Sequence, residues 1–540
     1  MKKFFFLALS ILSISMLAQD RPKLVVGIVV DQMRQDYLFR FSEKFGEGGF
    51  KRLMNEGHQF KNAHYNYVPT YTAPGHASIY TGTTPSNHSI IANGWYDKAK
   101  ERSTYCVSDE TVSAVGGSEQ AGKMSPRNLK ASTITDELLL TTNFRSKVVG
   151  VSIKDRGSIL PAGHNPTGAY WFDSKSGNFM TSTYYTESLP KWAKNFNKKR
   201  LVNEYLKNTW ETLLPISEYV ESTADDVPYE QAFRGQEKAV FPYKLDELVK
   251  DNGIGIIRTT PYGNSIVLDM ALAAIEGEQI GADAITDFLA VSFSSTDYVG
   301  HAFGPNSIEL EDTYLRLDQE IKRLLDYLDA NFSDEYVVFL SSDHGVVEVP
   351  LYLEDQKMVG GYLNQSRIKS MVNAIYGASG DDLVKSISND QIFLNYDWIN
   401  EKELKTEDVR QTLKAAFLSI DEVAKVYTAN EIILGNSTDP IKQRLKNGYN
   451  MKMSGDLLVM LKPGYLTNSG YGKAGTTHGS GYTYDTHVPI LFYGKGVKSG
   501  TTVRQVSITD IAPTLSMLLN ISLPNSSTGQ PLEELFATEK

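Results

Sequence analysis

The sequence predicts an α/β protein with a doubly wound, mostly parallel central sheet, helices on both faces of that sheet and inserted cap segments. Near-continuous apolar runs, typical of strands buried on both faces of a parallel sheet, alternate with segments of helical periodicity. Polar side chains follow four of these runs, and ligands bind beyond the carboxyl ends of strands in such sheets. The predicted strands are Lys23–Val30, Lys147–Ile153, Asp287–Phe293, Tyr336–Leu340 and Val488–Tyr493.

Composition and charge limit the class of protein. The chain has 540 residues, of which 41% are hydrophobic, 22% charged and 11% aromatic. These values exclude a disordered, collagen-like or coiled-coil protein as a description of the whole chain. The formal net charge is -10, whereas a protein that binds a phosphate backbone needs a basic face. We therefore expect no nucleic-acid-binding surface.

The first 18 residues are typical of an export signal. Lys2 and Lys3 precede a largely apolar segment, Phe4 to Leu17, and Ala18 offers a small residue for cleavage. The segment is shorter than the ~20 apolar residues that span a bilayer, which favours secretion over a membrane anchor. The only cysteine, Cys106, lies far from this segment, so no lipid-anchoring cysteine or internal disulfide is available. We predict a signal peptide over residues 1–18 and a periplasmic or secreted mature chain.

Residues 19–540 are predicted to form one domain with two insertions. Predicted helices such as Ser307–Asn331 and Thr406–Leu418 lie between or beyond the strands. The insertions cover about residues 163–263 and 351–467, where aromatic and charged residues interrupt the alternation of strand and helix. Each is either an elaboration that caps a cleft or a set of surface helices without contact to substrate, and the sequence favours neither interpretation.

Three carboxylates and three imidazoles lie next to the predicted strands or in the loops beside them. They are Asp31, Asp297, His301, Asp343, His344 and His478. The four-residue spacing of Asp297 and His301 lets both side chains point the same way on a helical turn. Each residue is weak evidence alone, because a single histidine is more often structural than a ligand. Their convergence at several strand ends predicts a metal site.

The order of these segments resembles the alkaline phosphatase superfamily of two-zinc phosphoryl and sulfuryl transfer enzymes, and within it the PafA-like, phosphate-irrepressible alkaline phosphatases. The matching segments are Asp31, PTYTAPGH around Thr72, DYVGH, SSDHG, and THGS followed by VPILFYG. The match covers nearly all of the mature chain. The resemblance implies that residues 19–540 are an alkaline phosphatase-like catalytic domain that hydrolyses small phosphate monoesters through a phosphothreonine intermediate.

Two Zn²⁺ ions are the cofactors that the resemblance implies. The implied ligands are Asp297, His301 and His478 for one ion, and Asp31, Asp343, His344 and the Thr72 hydroxyl for the other. His487 is a competing candidate for the distant ligand. We prefer His478 because its glycine-flanked loop, followed by a strand, fits the superfamily pattern better.

Thr72 is the implied nucleophile. Pro69 and Pro74 break secondary structure just ahead of a predicted helix, so a helix N-terminus faces the phosphate in this interpretation. The alternative for a lone threonine at this place is a helix N-cap. A zinc ion lowers the pKa of a threonine hydroxyl, and a second ion stabilises the leaving oxygen and activates water.

Three further residues are predicted to bind the phosphoryl group. Two zinc ions, three carboxylates and a Thr72 alkoxide sum to zero formal charge, so a monoester dianion needs additional positive charge. Lys154 and Arg156, two residues apart at a strand end, are expected to project to the same side and to add two positive charges. The resemblance implies that both contact nonbridging oxygens and that the Asn93 amide is a third donor to them. The alternatives are a solvated basic turn and a structural Asn-Gly turn.

Related activities differ from this one at identifiable positions. The string Thr72-Ala-Pro-Gly-His76 lacks the convertible residue and the arginine of sulfatases. Nucleotide pyrophosphatase/phosphodiesterases share the threonine and asparagine, and lack the Lys154 and Arg156 pair. A catalytically inactive, metal-stabilised envelope binding protein is the hypothesis from another class. We predict an exported zinc-dependent alkaline phosphatase of broad monoester specificity that acts as a monomer.

Overall fold

The structure is a computed structural model that describes residues 21–377, 382–435, 438–468 and 474–536. The predicted signal peptide lies outside these residues. None of the helices within them is long enough and apolar enough to cross a bilayer.

Within the described residues, eleven strands form the central sheet. In chain order they are β1 (Leu24–Val30), β2 (His58–His64), β3 (Ala114–Val115), β4 (Val148–Ser152), β5 (Gly168–Asp173), β6 (Asn178–Ser182), β7 (Asp287–Phe293), β8 (Tyr336–Ser341), β9 (His487–Gly494), β10 (Gly500–Thr502) and β11 (Val506–Ser507). The order across the sheet is β10, β2, β9, β8, β1, β7, β4, β5, β6 and β3, and β11 pairs with β2.

The middle of the sheet is parallel, and β9 beside it is antiparallel. β8, β1, β7, β4 and β5 run in one direction, whereas β9 runs against β8. The start of β9 therefore lies at the same edge of the sheet as the carboxyl ends of β1, β4, β7 and β8. The five strands predicted from apolar runs are present within one residue at each end, and the predicted fold class is confirmed.

Helices cover both faces of the sheet. Those used below are α1 (Thr72–Thr81), α2 (Asp155–Ala162), α3 (Tyr262–Glu278), α4 (Ser295–Phe303), α5 (Ile308–Phe332) and α6 (Ile511–Leu519). Alternate side chains of β1 enter opposite cores: Val26 packs in the core that contains Leu317 of α5, and Val25 in the core that contains Leu515 of α6. The other described α-helices are Tyr37–Arg40, Phe50–Glu56, Pro85–His88, Glu119–Gly122, Ile134–Thr141, Lys191–Lys198, Leu201–Tyr205, Leu245–Asn252, Pro350–Asp355, Gln365–Ile375, Tyr396–Glu401, Thr406–Leu418, Ala429–Leu434, Pro440–Gly448 and Thr483–Thr486.

The second predicted insertion, 351–467, forms a small sheet of its own. Four strands pair in the order Val384–Ser388, Gln391–Leu394, Leu457–Leu461 and Val423–Thr428. Leu413 and Phe417 of the helix Thr406–Leu418 pack on this sheet in a separate hydrophobic core. Three two-stranded pairs complete the strands: Gly361–Asn364 with Tyr465–Asn468, Thr209–Trp210 with Tyr243–Lys244, and Gly94–Asp97 with Arg102–Tyr105.

The first predicted insertion, 163–263, needs a correction. Its first part contains β5 and β6, which extend the central sheet beyond β4. The aromatic segment GAYWFD is buried along its whole length, so these aromatic side chains belong to the sheet and its packing, not to a cap. The elaboration outside the sheet therefore begins after Ser182.

Candidate metal centre and active site

The six predicted ligands meet at one edge of the central sheet. Asp31 follows β1, Asp343 and His344 follow β8, and α4, which follows β7, carries Asp297 and His301 on one face as the spacing predicts. His478 lies in the loop before β9. Five of the six are buried, and His301 is partly exposed. The antiparallel direction of β9 explains how the preceding loop reaches the ends of parallel strands.

Two overlapping groups of three side chains have the spacing of metal ligands. Within each group the candidate ligand atoms all lie within 4.8 Å of one another: Asp31, Asp343 and His344 form one group, and Asp297, His344 and His478 form the other. The first group contains three of the four predicted ligands of one ion, all except the Thr72 hydroxyl. The second group contains His344 in place of the predicted ligand His301. His301 is nevertheless close by, with its Nε2 3.1 Å from Asp297 Oδ1.

The three histidine rings are oriented as metal ligands are. Each Nδ1 is bonded to a backbone carbonyl, so that Nδ1 donates its proton and Nε2 keeps its lone pair. The pairs are His301 with Thr476 (2.7 Å), His344 with Gly345 (2.9 Å) and His478 with Thr70 (2.7 Å). The Nε2 atoms lie 3.1 to 3.7 Å from oxygens of the aspartates. This arrangement leaves the three Nε2 atoms directed at the carboxylates, where a metal ion could bind them.

The electrostatics of the cluster fit divalent cations. Burial, and then the neighbouring carboxylates, raise the pKa of Asp31 and Asp343, and Asp31 Oδ1 and Asp343 Oδ2 are buried without a hydrogen-bond donor. Burial lowers the pKa of His478 to about 3 and also lowers that of His344, so both rings are neutral. Crowded carboxylates with neutral imidazoles are the donor set that zinc takes in proteins.

Thr72 is the first residue of α1 and is buried beside the cluster. Its Oγ1 lies 3.4 Å from His344 Nε2 and 3.4 Å from Lys154 Nζ. Close packing of α1 against the cluster requires Gly75, because a Cβ there would lie 2.3 Å from the carbonyl oxygen of Asp343. A hydroxyl at the N-terminus of a helix faces the side to which anions bind.

Lys154 reaches into the cluster, and Arg156 lies at its border. Lys154 Nζ lies 2.6 Å from Asp31 Oδ2 and 2.6 Å from Asp297 Oδ2. Arg156 is in the first turn of α2, since β4 ends at Ser152, so the prediction that strand alternation places both cations on one side is wrong. The guanidinium of Arg156 donates to the Tyr105 hydroxyl at 3.0 Å, and its buried Nε has no acceptor in the described chain.

Asn93 is fixed next to Thr72. Its Oδ1 accepts a hydrogen bond of 2.8 Å from the amide of Ala73. Asn93 also lines the cavity beside the cluster. His487, the competing ligand candidate, is remote from the cluster: its Nε2 is bonded to the carbonyl of Lys61 at 2.9 Å, and its ring stacks on His64.

Comparisons with known proteins identify the family. Residues 25–485 match the family described as type I phosphodiesterase / nucleotide pyrophosphatase. The chain is 49% identical over 526 residues to alkaline phosphatase PafA of Elizabethkingia meningoseptica, a match that covers 96% of this chain and 95% of that protein. The crystal structure of wild-type PafA matches with a TM-score of 0.92 and 48% identity over 96% of this chain and 99% of that one. This chain belongs to the PafA-like alkaline phosphatases.

Two other matches have informative descriptions. A Myroides odoratus protein named calcium-transporting ATPase is 48% identical over 522 residues, with 95% of each chain covered. A solved PafA variant, also with a TM-score of 0.92, has serine in place of a threonine and alanine in place of an asparagine, a lysine and an arginine. The threonine–asparagine and lysine–arginine separations in that variant equal those of Thr72 with Asn93 and of Lys154 with Arg156. The predicted resemblance and enzyme class are confirmed.

A cavity of about 500 Å³ opens beside the cluster of this PafA-like chain. Tyr71, Asn93, His301 and His478 line its inner end. Residues 387–391 and 458–467 of the second insertion form much of its wall, and no described residue of 163–263 lines it. Among the described residues, the second insertion, and not the first, therefore borders this cavity.

Gln32 is a site residue that the sequence analysis missed. Its Nε2 donates to Asp297 Oδ1 at 2.8 Å, and its backbone N–H donates to Asp343 Oδ1 at 3.1 Å. Gly300 provides the space for this side chain, because a Cβ there would lie 1.9 Å from Gln32 Oε1. The glycine of the DYVGH segment was the signal available in the sequence, since it marks a close approach by another group.

Two further residues of this PafA-like site position its parts. His76 Nδ1 donates to the carbonyl of Thr72 at 2.9 Å and lies 3.5 Å from Asp343 Oδ2. Asp485 Oδ2 accepts the backbone N–H groups of Gly479 and Ser480, which follow His478. Both residues stand inside motifs already noted in the sequence, but the spacing of those motifs does not reveal the contacts.

Proposed function

We propose that this chain is an exported, zinc-dependent alkaline phosphatase that hydrolyses a broad range of phosphate monoesters to alcohol and phosphate through a phosphothreonine intermediate on Thr72. The observation that supports this most is the placement of the Thr72 hydroxyl. Its Oγ1 lies 3.4 Å from both His344 Nε2 and Lys154 Nζ, at the border of the six-residue cluster. A hydroxyl there is next to metal ligands and to a cation at once.

Two groups of residues would hold the two zinc ions. Asp31, Asp343 and His344, together with the Thr72 hydroxyl, would hold one, and Asp297, His301 and His478 the other. When bound, zinc lowers the pKa of a coordinated hydroxyl or water and stabilises developing negative charge on oxygen. The unpartnered oxygens of Asp31 and Asp343 support this assignment, as do the three imidazoles with Nε2 directed at aspartates.

The chain's own residues perform two successive displacements. The Thr72 oxygen attacks phosphorus while the bond to the ester oxygen breaks on the opposite side, giving phosphothreonine and an alcohol that takes up a proton. Water then attacks phosphorus from the side that the alcohol left, the bond to Thr72 breaks, and phosphate is released. Each displacement inverts the configuration at phosphorus.

Lys154, Arg156 and Asn93 would bind the nonbridging oxygens. Lys154 and Arg156 add two positive charges to a site whose zinc ions, carboxylates and Thr72 alkoxide sum to zero, which matches a monoester dianion. Burial of the Lys154 ammonium makes its hydrogen bonds stronger than those of a solvated lysine. All three residues would bind the phosphoryl group and not the alcohol, which supports broad specificity for the alcohol part of the monoester.

The mature protein is proposed to be one catalytic domain, residues 19–540, that acts as a monomer in the periplasm or outside the cell. The basis for export is the sequence of residues 1–18. The insertion 351–467 would cap the cleft, since its residues line the cavity beside the cluster.

Rates on monoesters and diesters test this proposal against its rivals. The zinc-replete mature protein should hydrolyse chromogenic phosphate monoesters with different alcohols at similar kcat/KM at alkaline pH, and diesters much more slowly. A faster rate on diesters would favour the phosphodiesterase that the matched family's description suggests. No turnover of either substrate would favour a metal-stabilised binding protein. A steep preference for one alcohol would contradict broad specificity.

A further inference from the structure

A tight turn of the second insertion contacts the loop that carries Asn93. The turn consists of Asn389 and Asp390 and joins the strands Val384–Ser388 and Gln391–Leu394. Both turn residues have left-handed backbone conformations, with φ of 54° and 55°. Asn and Asp adopt this conformation more readily than other residues with a Cβ, and two-residue hairpin turns favour them. The local sequence therefore specifies this turn.

Hydrogen bonds fix this turn on both sides. Asn389 Nδ2 donates to the carbonyl of Gly94 at 2.8 Å, in the loop that carries the proposed phosphoryl-binding amide. The backbone carbonyl of Asp390 accepts the N–H of Val459 at 2.9 Å, and Asp390 Oδ1 accepts the Thr467 hydroxyl at 2.8 Å. The Asp390 carboxylate therefore has a fixed position relative to the phosphoryl-binding loop.

Asp390 brings a negative charge to the cavity beside the metal cluster. It lines this cavity of about 500 Å³ together with Tyr71, Asn93 and His478. Burial and then the charge of Asp390 raise the pKa of Tyr71, the residue before the proposed nucleophile. Among the described residues, Asp390 has no cationic partner, and its one side-chain hydrogen bond comes from a neutral hydroxyl. Its charge is therefore available to act on a group inside the cavity.

The other charged side chains of the cavity wall do not cancel this charge. Apart from the histidines, they are Asp485 and Lys462. Asp485 has the same sign as Asp390, and its carboxylate accepts two backbone N–H groups. Lys462 is exposed, so water and salt screen its charge. The wall that faces an alcohol in this cavity is therefore acidic.

We propose that Asp390 sets the charge preference for the alcohol part of the monoester, disfavouring alcohols that carry a negative charge and favouring those that carry a positive one. This inference rests on the proposed function, because Lys154, Arg156 and Asn93 would hold the phosphoryl group at the inner end of the cavity and direct the alcohol toward the second insertion. One charge at a partly solvated distance changes kcat/KM by a factor of roughly 3 to 10. Neutral alcohols of different shape are accepted alike, so this preference is compatible with broad specificity.

Rates of Asp390→Asn on three monoesters test this role. Asparagine keeps the shape, the left-handed backbone and an acceptor for the Thr467 hydroxyl, and it removes only the charge. The substrates are phosphocholine, glycerol phosphate and phosphoglycolate, whose alcohols are cationic, neutral and anionic. For each, kcat/KM of the zinc-loaded mature variant is divided by that of the wild type at pH 9 and low salt, so that the intrinsic reactivity of each alcohol cancels.

The expected result is a change whose sign follows the charge of the alcohol. Relative to glycerol phosphate, the variant-to-wild-type ratio should rise roughly 3- to 10-fold for phosphoglycolate and fall by a similar factor for phosphocholine. Both changes should shrink in about 0.5 M NaCl, because salt screens the interaction. Asp397→Asn, at an exposed position of the same insertion outside the cavity wall, is the control and should give equal ratios within about twofold.

The other outcomes separate this inference from the proposed function. Equal ratios on all three substrates for Asp390→Asn, whether activity falls uniformly or stays unchanged, would overturn the role of Asp390 and leave the phosphatase activity in place. Charge-dependent ratios of the same size in Asp397→Asn would also overturn it, because the effect would then belong to the net charge of the chain. Absence of wild-type turnover on all three monoesters would overturn the proposed function and this inference together.

Discussion

Replacing Thr72 by alanine is expected to lower kcat for phosphate monoesters by at least about a thousandfold. Thr72 Oγ1 is the hydroxyl that lies between His344 and Lys154 at the border of the cluster. Without it, water must attack the substrate directly in a site arranged for a covalent intermediate. Steady-state kinetics of the zinc-loaded variant measure the loss.

Two controls show whether the loss is chemical. Thr72→Ser keeps a hydroxyl and should retain much more activity than the alanine variant. Zinc content and Tm of both variants should stay close to the wild type, because Asp31, Asp343 and His344 remain to hold the ion next to Thr72 and the side chain contributes little to packing beyond its methyl group. If the alanine variant kept more than about a tenth of the wild-type kcat with full zinc, Thr72 would not be the nucleophile.

The combined change of Lys154→Ala and Arg156→Ala is expected to lower monoester kcat/KM by a factor on the order of 10² to 10⁴ and diester kcat/KM by much less. Each lost hydrogen bond to a charged group costs about 1.5–3 kcal/mol, or roughly 10- to 100-fold. A monoester has a dianionic phosphoryl group and depends on both cations, whereas a diester has a single negative charge. The ratio of the two kcat/KM values is the measurement.

Arg258→Ala is the matched control for this pair. Arg258 Cζ lies 4.9 Å from the centroid of the Tyr298 ring, and Lys154 Nζ lies 5.2 Å from the same centroid. Unlike Lys154, Arg258 is outside the cluster. Its loss should leave the monoester-to-diester ratio within about twofold. Equal losses on monoester and diester in the Lys154 and Arg156 variant would contradict a role in monoester specificity. Because Lys154 pairs with Asp31 and Asp297, zinc content of this variant must be measured alongside its rates.

Much of the fold and the gathering of the site could be predicted from local patterns. The runs before Asp31, Asp297 and Asp343 are almost continuously apolar, which is typical of strands buried on both faces of a parallel sheet. Parallel strands bring their carboxyl ends to one edge, so residues far apart in sequence were expected to meet there. The four-residue spacing of Asp297 and His301 likewise predicted one helical face.

Contacts set by backbone direction were harder to predict. The alternation assumed for Lys154 and Arg156 fails because α2 begins between them, and no strong breaker marks that boundary in SIKDRG. Gln32 was missed because its role depends on a left-handed backbone conformation, with a φ of 66°, and on the space left by Gly300.

We propose that six side chains form one two-zinc pocket with Thr72 at its border. Crystals of the zinc-loaded mature protein, measured on both sides of the zinc absorption edge, test it most directly. We predict two anomalous peaks about 4 Å apart, one bound by Asp31, Asp343 and His344 and within bonding distance of Thr72 Oγ1, the other bound by Asp297, His301 and His478. A single peak, or peaks that lie away from Thr72, would contradict a two-zinc site beside this hydroxyl.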